Sequence, residues 1–247
     1  MKLIAPKPAH SALILVFLCS SLLTAALQAQ PRPYHAEYKA KANGLDATAI
    51  RELQQQEEGE FLLSNSLDLK IAGVTVSTIH ESSLFQWREQ RITPLHYRLE
   101  QTRIGARLEE ISFDWSAGMA QTRAQDGTYS LPLTGDNIQD RLSLDLQIAE
   151  DLARLDRGSL IGTELVYRVA ETDELEEQRF RVEALEQVET AMGVIPAVRI
   201  VRVRAPDSKR KTTLWLATEQ QFLLVALEQI NSSGERTELS LSAYREL

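Results

Sequence analysis

The sequence predicts a mostly β protein, folded as an antiparallel curved sheet or a half-open β-barrel with one internal helix at about residues 137–155. Two observations predict this class. After Pro33, apolar and polar residues alternate with a period of two, and short turn sequences separate the alternating runs. Only the stretch near 137–155 has an apolar spacing that suits a helix better than a strand.

The first 29 residues differ from the rest and predict a secretory signal peptide. Lys2 and Lys7 form a basic start, an apolar run follows over residues 11–27, and small residues lead out of it. The run is short for a membrane span of about 20 residues, which favours cleavage over an uncleaved anchor. The sequence therefore predicts one β-rich domain over residues 31–247, exported to the periplasm.

Cysteine and charge content restrict the chemistry of the exported domain. Cys19 is the only cysteine, and Leu18 before it is not the small residue that a lipoprotein site needs. The exported domain would therefore contain no disulfide. Its net charge, −8 for the full sequence, becomes about −10 without Lys2 and Lys7. Such an acidic surface disfavours nucleic acid and bare anionic lipid headgroups as partners.

The predicted strands follow one another through both halves of the domain. Asn43-Gly44 and Ala72-Gly73 are turn signals in the first half, and Thr172-Asp173 is one in the second. Strands are predicted at 34–40, 61–71, 74–87, 91–105, 106–115, 119–124 and 128–133, then at 164–171, 177–185, 196–205, 212–217, 222–230 and 236–244. No fixed-period repeat or low-complexity linker divides the chain, so a single domain is expected.

The predicted helix has a broad apolar side. Asp136 and Gln139 match a capping box at its start, and Gly158 matches a stop after its end. A strand would explain residues 141–148 but not those after Ala149. A helical projection places Asp140, Ser143 and Gln147 on a narrow polar face, with Glu150, Asp151 and Arg154.

Two charges lie within the apolar side of this helix. Arg141 and Asp145 are four residues apart, so the spacing predicts that they pair. They form either an ion pair at the edge of the core or a polar feature inside a cavity, next to Leu144 and Ile148. Trp115 and Trp215 lie in predicted strands and pack in the core or line such a cavity. These six residues are the candidate ligand-binding set.

No sequence motif indicates catalysis, and no catalytic residue is assigned. His35, His80 and His96 lie on different predicted strands without metal-ligand spacing, so neither a metal nor a cofactor is expected. The sequence has no serine-hydrolase elbow and no glycine-rich nucleotide loop. The acidic runs 56–60 and 171–177 lack the ligand pattern of a calcium loop, and the basic run 208–211 suits a solvated turn.

Several short segments occur in an order that resembles a family of exported bacterial envelope proteins known only as a domain of unknown function. The segments are ESSLFQW, RITPLHYRLEQ, ISFDW, DRLSLDLQIAEDL, VETAMGVIPAVRIVRV and TTLWLATEQQFLLVALEQ. The resemblance covers about residues 34–244. It implies a helix at Asp140–Ser143 after the first set of strands, and it implies no activity.

The C-terminal segment 215–244 is also similar to the ending of the periplasmic lipoprotein-carrier fold. That resemblance implies an incomplete barrel, closed by helices, that holds acyl chains. This sequence departs from it by having a single internal helix.

These observations favour a non-enzymatic periplasmic protein that binds an apolar or amphipathic ligand between sheet and helix, in envelope maintenance. A lipid or a lipoprotein is the expected ligand. The alternative is a structural module that binds another envelope protein through a sheet edge. A third class, a glycan hydrolase, would need two carboxylates converging in a cleft. The oligomeric state is left open.

Overall fold

The computed structural model describes residues 30–57, 59–103 and 105–247. The predicted signal peptide, residues 1–29, lies outside this range, so export remains a prediction. The strands are β1 (Tyr34–Ala42), β2 (Leu45–Gln55), β3 (Glu60–Ile71), β4 (Val74–Arg88), β5 (Arg91–Arg103), β6 (Arg107–Asp114), β7 (Met119–Ala124), β8 (Gly127–Pro132), β9 (Ile138–Gln139), β10 (Glu164–Ala170), β11 (Leu175–Thr190), β12 (Gly193–Val203), β13 (Lys211–Ala217), β14 (Leu223–Ile230) and β15 (Arg236–Glu246). One α-helix, α1, spans Ser143–Ala153, and a 3-10 turn spans Arg157–Ser159.

The strands form one 15-stranded sheet in the order β8-β7-β6-β5-β4-β3-β2-β1-β15-β14-β13-β12-β11-β10-β9. Every pair is antiparallel except β9–β10. β8 and β9 are therefore the two edges, and the curved sheet is not closed into a barrel. This confirms the predicted half-open, antiparallel architecture.

Tight turns and bulges give the sheet its shape. Asn43 and Gly44 both have positive φ, 51° and 78°, as a two-residue hairpin turn between twisted strands requires. Register shifts interrupt several pairings, for example between Leu84 and Phe85 in β4. Such bulges increase local twist and bend the strand, so they help the sheet to curl.

The concave face of the sheet holds the core. In β1 the inward residues alternate with exposed ones, and Tyr34, Ala36 and Tyr38 are all buried. Phe61 of β3 and Phe85 of β4 stack with ring centroids 5.7 Å apart. The alternation therefore comes from one face packing inward while the other faces solvent.

Helix α1 lies inside the curve of the sheet and is shorter than predicted. Residues 138–139 form strand β9 instead, and the helix ends at Ala153. The predicted Asp136–Gln139 capping box is therefore wrong, since Asp136 is exposed and Gln139 donates a 3.0 Å hydrogen bond to the Ile92 carbonyl. No helix in the described part of the chain has the length and apolar character needed to cross a membrane.

The predicted polar face of the helix is also wrong at its N-terminal half. Asp140 and Ser143 are completely buried, and Gln147 is 3% exposed. Gln147 accepts a 2.9 Å hydrogen bond from the Ile92 amide and donates one to Asp151. These polar side chains bond to the protein because the curved sheet encloses the helix on the side that solvent would otherwise occupy.

The helix closes one end of the curved sheet. Its C-terminal end reaches the β4–β5 turn, where Arg154 bonds to the Gln90 carbonyl. Its N-terminal end lies near the middle of the strands, where Asp140 contacts Ser83 of β4. The other end of the concave face, near the β12–β13 and β14–β15 turns, is left without a helix.

Candidate functional site

Asp140 begins the helix by capping it from a buried position. One carboxylate oxygen accepts hydrogen bonds from the Leu142 and Ser143 amides at 2.8 and 2.7 Å. The other oxygen accepts a 2.6 Å bond from the Ser83 hydroxyl. The Asp140 amide donates to the Ser143 hydroxyl at 3.0 Å, so the two side chains cap each other's amides reciprocally. The DRLS segment thus fixes where the helix begins against β4.

Arg141 and Asp145 do not pair with each other, contrary to the prediction. Arg141 forms an ion pair with Glu109 of β6, and its Nε lies 3.7 Å from a carboxylate oxygen of Glu171. Its guanidinium also lies 5.1 Å from the centroid of the Tyr97 ring. The four-residue spacing allows a pair on the helix, but strand residues offer Arg141 two carboxylates and an aromatic face.

Asp145 pairs instead with a buried arginine of the sheet. Arg51 of β2 is 5% exposed, and its Nη1 lies 3.4 Å from Asp145 Oδ2. Arg51 Nε also donates a 3.0 Å bond to the Tyr34 hydroxyl. Burial raises the pKa of Asp145 and the Arg51 charge opposes that rise, so the ion pair compensates for burying Arg51 against the partly buried Asp145.

A cavity of about 680 Å³ lies beside the N-terminal end of α1, in the part of the concave face that the helix leaves open. Leu144 of the helix and apolar residues of β5, β10, β11, β13 and β14 contribute its apolar wall. These sheet residues are Leu99, Val169, Phe180, Leu214, Leu227 and Ile230. The volume is in the range of ordinary small-molecule sites, about 300–1,000 Å³.

Charged residues line the rest of this cavity. The acids are Glu81, Asp145, Glu171, Glu174 and Glu176, and the bases are Arg107, Arg141, Arg202, Arg204 and Arg210. Most of the acids are bound to neighbours. Arg202 pairs with Glu176 at 2.6 Å, and Glu81 accepts a 2.6 Å bond from the Tyr97 hydroxyl. The site is thus amphipathic, with apolar and charged walls.

The six predicted site residues are only partly brought together. Arg141, Leu144 and Asp145 line the cavity. Ile148 is completely buried and packs in the core. Trp115 is 40% exposed, stacks on Phe113 and donates a 2.7 Å bond to the Pro94 carbonyl, away from the cavity.

Trp215 lies in a different groove. It alternates with the buried Leu214 and Leu216 on β13, so it is on the opposite face of the sheet, where its indole bonds to Glu186. This groove, of about 930 Å³, lies between the β11–β12 hairpin and strands β14, β15 and β1. The tryptophans and the helix therefore do not form one site.

Sequence reasoning missed the arginines in and beside the β12–β13 connection. Ile200 is a buried core residue, so the next inward-facing position of β12 is Arg202, and Arg204 follows directly after the strand. The change from isoleucine to arginine at successive positions on one face of the strand is visible in the sequence. It marks the place where the core gives way to the charged cavity.

Metal-binding clusters are absent from the described residues, where no group of three or more His, Cys, Asp or Glu side chains is placed to hold a metal ion. His96 Nδ1 lies 3.2 Å from the Ser112 hydroxyl, and the ring of His35 lies near Glu37 and Glu52. These histidines interact with their strand neighbours.

Solved structures match this chain over most of its length at very low sequence identity. The beta-barrel-like protein of a domain of unknown function, DUF1849, from Brucella abortus superposes with a TM-score of 0.57 and 8% identity, over 88% of this chain and 99% of that one. A protein described as exported, with a YmcC-like fold, from Bacteroides fragilis has a TM-score of 0.37 and 8% identity, over 87% of this chain and 97% of that one. A protein described as a lipoprotein from Parabacteroides distasonis has a TM-score of 0.35 and 10% identity, over 87% of this chain and 96% of that one.

The sequence itself matches one family model. Residues 34–240 match a family described as protein of unknown function, DUF3108. No curated protein matches the sequence significantly.

Proposed function

The chain belongs to the DUF3108 family, whose function is unknown, and we propose that it is a non-enzymatic, periplasmic protein that binds an amphipathic molecule. The binding site is the cavity between the N-terminal end of α1 and the concave face of the sheet. The observation that carries the proposal is the composition of this cavity, with an apolar wall on one side and charged residues on the other. The predicted signal peptide, residues 1–29, supports the periplasmic location.

The shape of the molecule supports binding at this place. The helix fills one end of the curved sheet, where Leu142, Ile148 and Leu152 are at most 1% exposed. The other end keeps a cavity of about 680 Å³, which suits a small molecule or part of a lipid. A partly filled sheet thus offers a preformed site without a large rearrangement.

The charged residues favour an amphipathic ligand over a purely apolar one. An apolar ligand would displace water from Arg204, Arg210 and their neighbours without replacing the hydrogen bonds, which costs free energy. The carboxylates of Glu109, Glu171 and Glu176 each form an ion pair with an arginine, Arg141 or Arg202. This arrangement supports binding over the paired acid–base carboxylates of a glycan hydrolase.

A matched pair of variants tests this proposal. Thr212 lines the cavity, whereas Thr213 is its neighbour on the opposite face of β13. Thr212→Trp should fill the cavity and abolish binding of short-chain amphiphiles measured by calorimetry, and Thr213→Trp should leave it intact. Equal binding by both variants, with both folded, would show that the ligand binds elsewhere.

The sheet edge supports a second candidate, a module that binds another envelope protein. Within the described residues, β8 is hydrogen-bonded as a strand only to β7, so its outer edge can accept a strand from a partner. Ser130→Pro would disturb that edge without touching the cavity. Loss of a stoichiometric partner in this variant, with amphiphile binding unchanged, would favour the second candidate.

A further inference from the structure

Arg204 lies in the wall of the cavity, and no described residue pairs with its charge. Its Nε is buried and donates no hydrogen bond to any described residue. Its side chain forms no ion pair within residues 30–57, 59–103 and 105–247, whereas Arg202 two positions earlier pairs with Glu176 at 2.6 Å. Burial lowers the pKa of Arg204, and the charges of Arg202 and Arg210 lower it further, against an opposing effect of Glu176.

Arg210 lies on the same side of the hairpin as Arg204. Ile200 of β12 pairs with Leu214 of β13, and both are buried core residues on the concave face. Alternation from these positions places Arg202 of β12 and Thr212 of β13 on that face, and Arg204 and Arg210 lie in the connection directly after β12 and directly before β13. All four residues line the cavity. The connection thus places two arginines in the cavity wall, close enough for the charge of Arg210 to act on Arg204, whereas Phe180 of β11 and Leu227 of β14 contribute apolar surface.

Neighbouring unpaired cations destabilise a folded protein unless an anion binds between them. Arg204 is half-buried, so part of its guanidinium group is removed from water at a cost in free energy, and repulsion from Arg202 and from the exposed Arg210 adds to that cost. Within the described residues no carboxylate forms an ion pair with either arginine, since Glu171 pairs with Arg141 and Glu176 pairs with Arg202 and acts on Arg204 without contacting it as an ion pair. Guanidinium groups bind the oxygens of phosphate and carboxylate groups bidentately, which matches this arrangement.

We propose that Arg204 and Arg210 form an oxyanion subsite in the wall of the cavity, and that this subsite holds the phosphate-type headgroup of the bound molecule. This inference rests on the proposed function and names the chemistry of the ligand. Leu214 and Leu227 line the same cavity beside the subsite and are placed to contact an apolar tail. The same chemistry would bind a lipid headgroup or a free phosphate, and an apolar tail would add affinity only for the lipid.

Binding assays with charge-neutralising variants test the subsite. Inorganic phosphate, a short-chain phosphatidic acid and uncharged octyl glucoside are titrated into the full domain by calorimetry. Arg204→Gln and Arg210→Gln should each weaken binding of the two phosphates about ten-fold or more and leave octyl glucoside unchanged. Lys209→Gln is the matched control, because Lys209 is an exposed cation on the same turn. It should change no affinity.

The outcomes separate the subsite from the cavity. Tighter binding of phosphatidic acid than of phosphate supports the subsite with a lipid as the source, and equal binding supports it with a free anion. If phosphatidic acid and octyl glucoside bind, but equally well to wild type and Arg204→Gln, the subsite is overturned and the cavity proposal stands. If no probe binds, both are overturned.

Thermal stability gives an independent measure. Arg204→Gln should melt at the same temperature as the ligand-free wild type or higher, because it removes an unpaired charge. A marked fall in its Tm would show that Arg204 stabilises the fold, and would overturn the role in anion binding.

Discussion

Replacing Asp140 with alanine should destabilise the protein strongly, because this one carboxylate holds three hydrogen-bond donors in a completely buried position. The donors are the amides of Leu142 and Ser143 and the hydroxyl of Ser83. Alanine leaves the two amides without their acceptor at the start of the helix, and water has no access to replace it. The Ser83 hydroxyl loses its partner as well.

The expected loss can be built from these contacts. Removing a helix N-cap costs about 0.5–2 kcal/mol, and leaving a buried donor unsatisfied costs about 1–3 kcal/mol. Burial raises the pKa of Asp140 to about 6, although its hydrogen bonds oppose this, so the ionised carboxylate is itself costly to bury. We expect a net loss of about 2–4 kcal/mol at pH 8.

The pH dependence of this loss follows from the same pKa. Since the folded pKa is raised above the usual value of 3.8, the folded state binds protons more tightly than the unfolded state. The stability that Asp140 contributes is thus fully present below about pH 4 and is lost as pH rises through about 6. The cost of Asp140→Ala should therefore be about 1.4 kcal/mol larger at pH 5 than at pH 8.

Urea unfolding followed by tryptophan fluorescence measures both quantities. Asp136→Ala is the control, since Asp136 is exposed and is the residue that the sequence pattern offered as the cap. It should change the free energy of unfolding by less than about 0.5 kcal/mol. A loss under about 1 kcal/mol for Asp140→Ala, or a loss as large for Asp136→Ala, would refute the capping argument.

Three further predictions concern the helix. Asp145→Asn should lower the free energy of unfolding by about 3–5 kcal/mol, measured with urea, because it leaves Arg51 buried without a counter-charge. The double variant Arg51→Met/Asp145→Leu should recover most of that loss. Glu150→Gln should be more stable than wild type at pH 8 and as stable as wild type at pH 4. Burial raises the pKa of Glu150 to about 7, so the stability that the protonated carboxyl contributes is lost as pH rises through that value. The same difference in Tm between variant and wild type at both pH values would contradict this. Ile148→Ala should lower the free energy of unfolding, measured by calorimetry, by about 2–5 kcal/mol, because Ile148 is completely buried. A loss under about 1 kcal/mol would contradict its place in the core.

The strands could be predicted from the sequence because their signal is local. One face of the sheet is buried and the other is exposed, so alternation such as that of Tyr34, Ala36 and Tyr38 records the burial directly. The Asn43-Gly44 turn is equally local, since it depends on two residues that tolerate positive φ. Each of these features needs only neighbouring residues to be recognised.

The helix was harder to predict because its environment is not local. A polar residue on an isolated amphipathic helix normally faces water, and that assumption placed Asp140, Ser143 and Gln147 on a solvated face. The curved sheet surrounds this helix, so Ser143 bonds to Asp140, and Asp140 and Gln147 bond to Ser83 and Ile92 of distant strands. These strand partners are more than fifty residues away in sequence, where periodicity carries no information.

The cavity was only half predicted for the same reason. Arg141, Leu144 and Asp145 could be selected because charges within an apolar stretch are conspicuous. Arg204 and Arg210 come from a hairpin about sixty residues later, and only the strand order brings them to the helix. The local sign of such a site is an arginine at a strand position that faces the core. It can be recognised once it is known which alternate residues of β12 face inward.

The sheet order also has a consequence for how the chain folds. All neighbouring strands are consecutive in sequence except β1 and β15, whose pairing runs from Tyr34↔Glu246 to Ala42↔Thr237. Strands β1–β8 can therefore assemble by short-range hairpin formation before the rest of the sheet, while β1 keeps an unpaired edge until the last strand arrives. That edge is the exposed template for misassembly during folding, and joining β15 to it is the slow, loop-closing step.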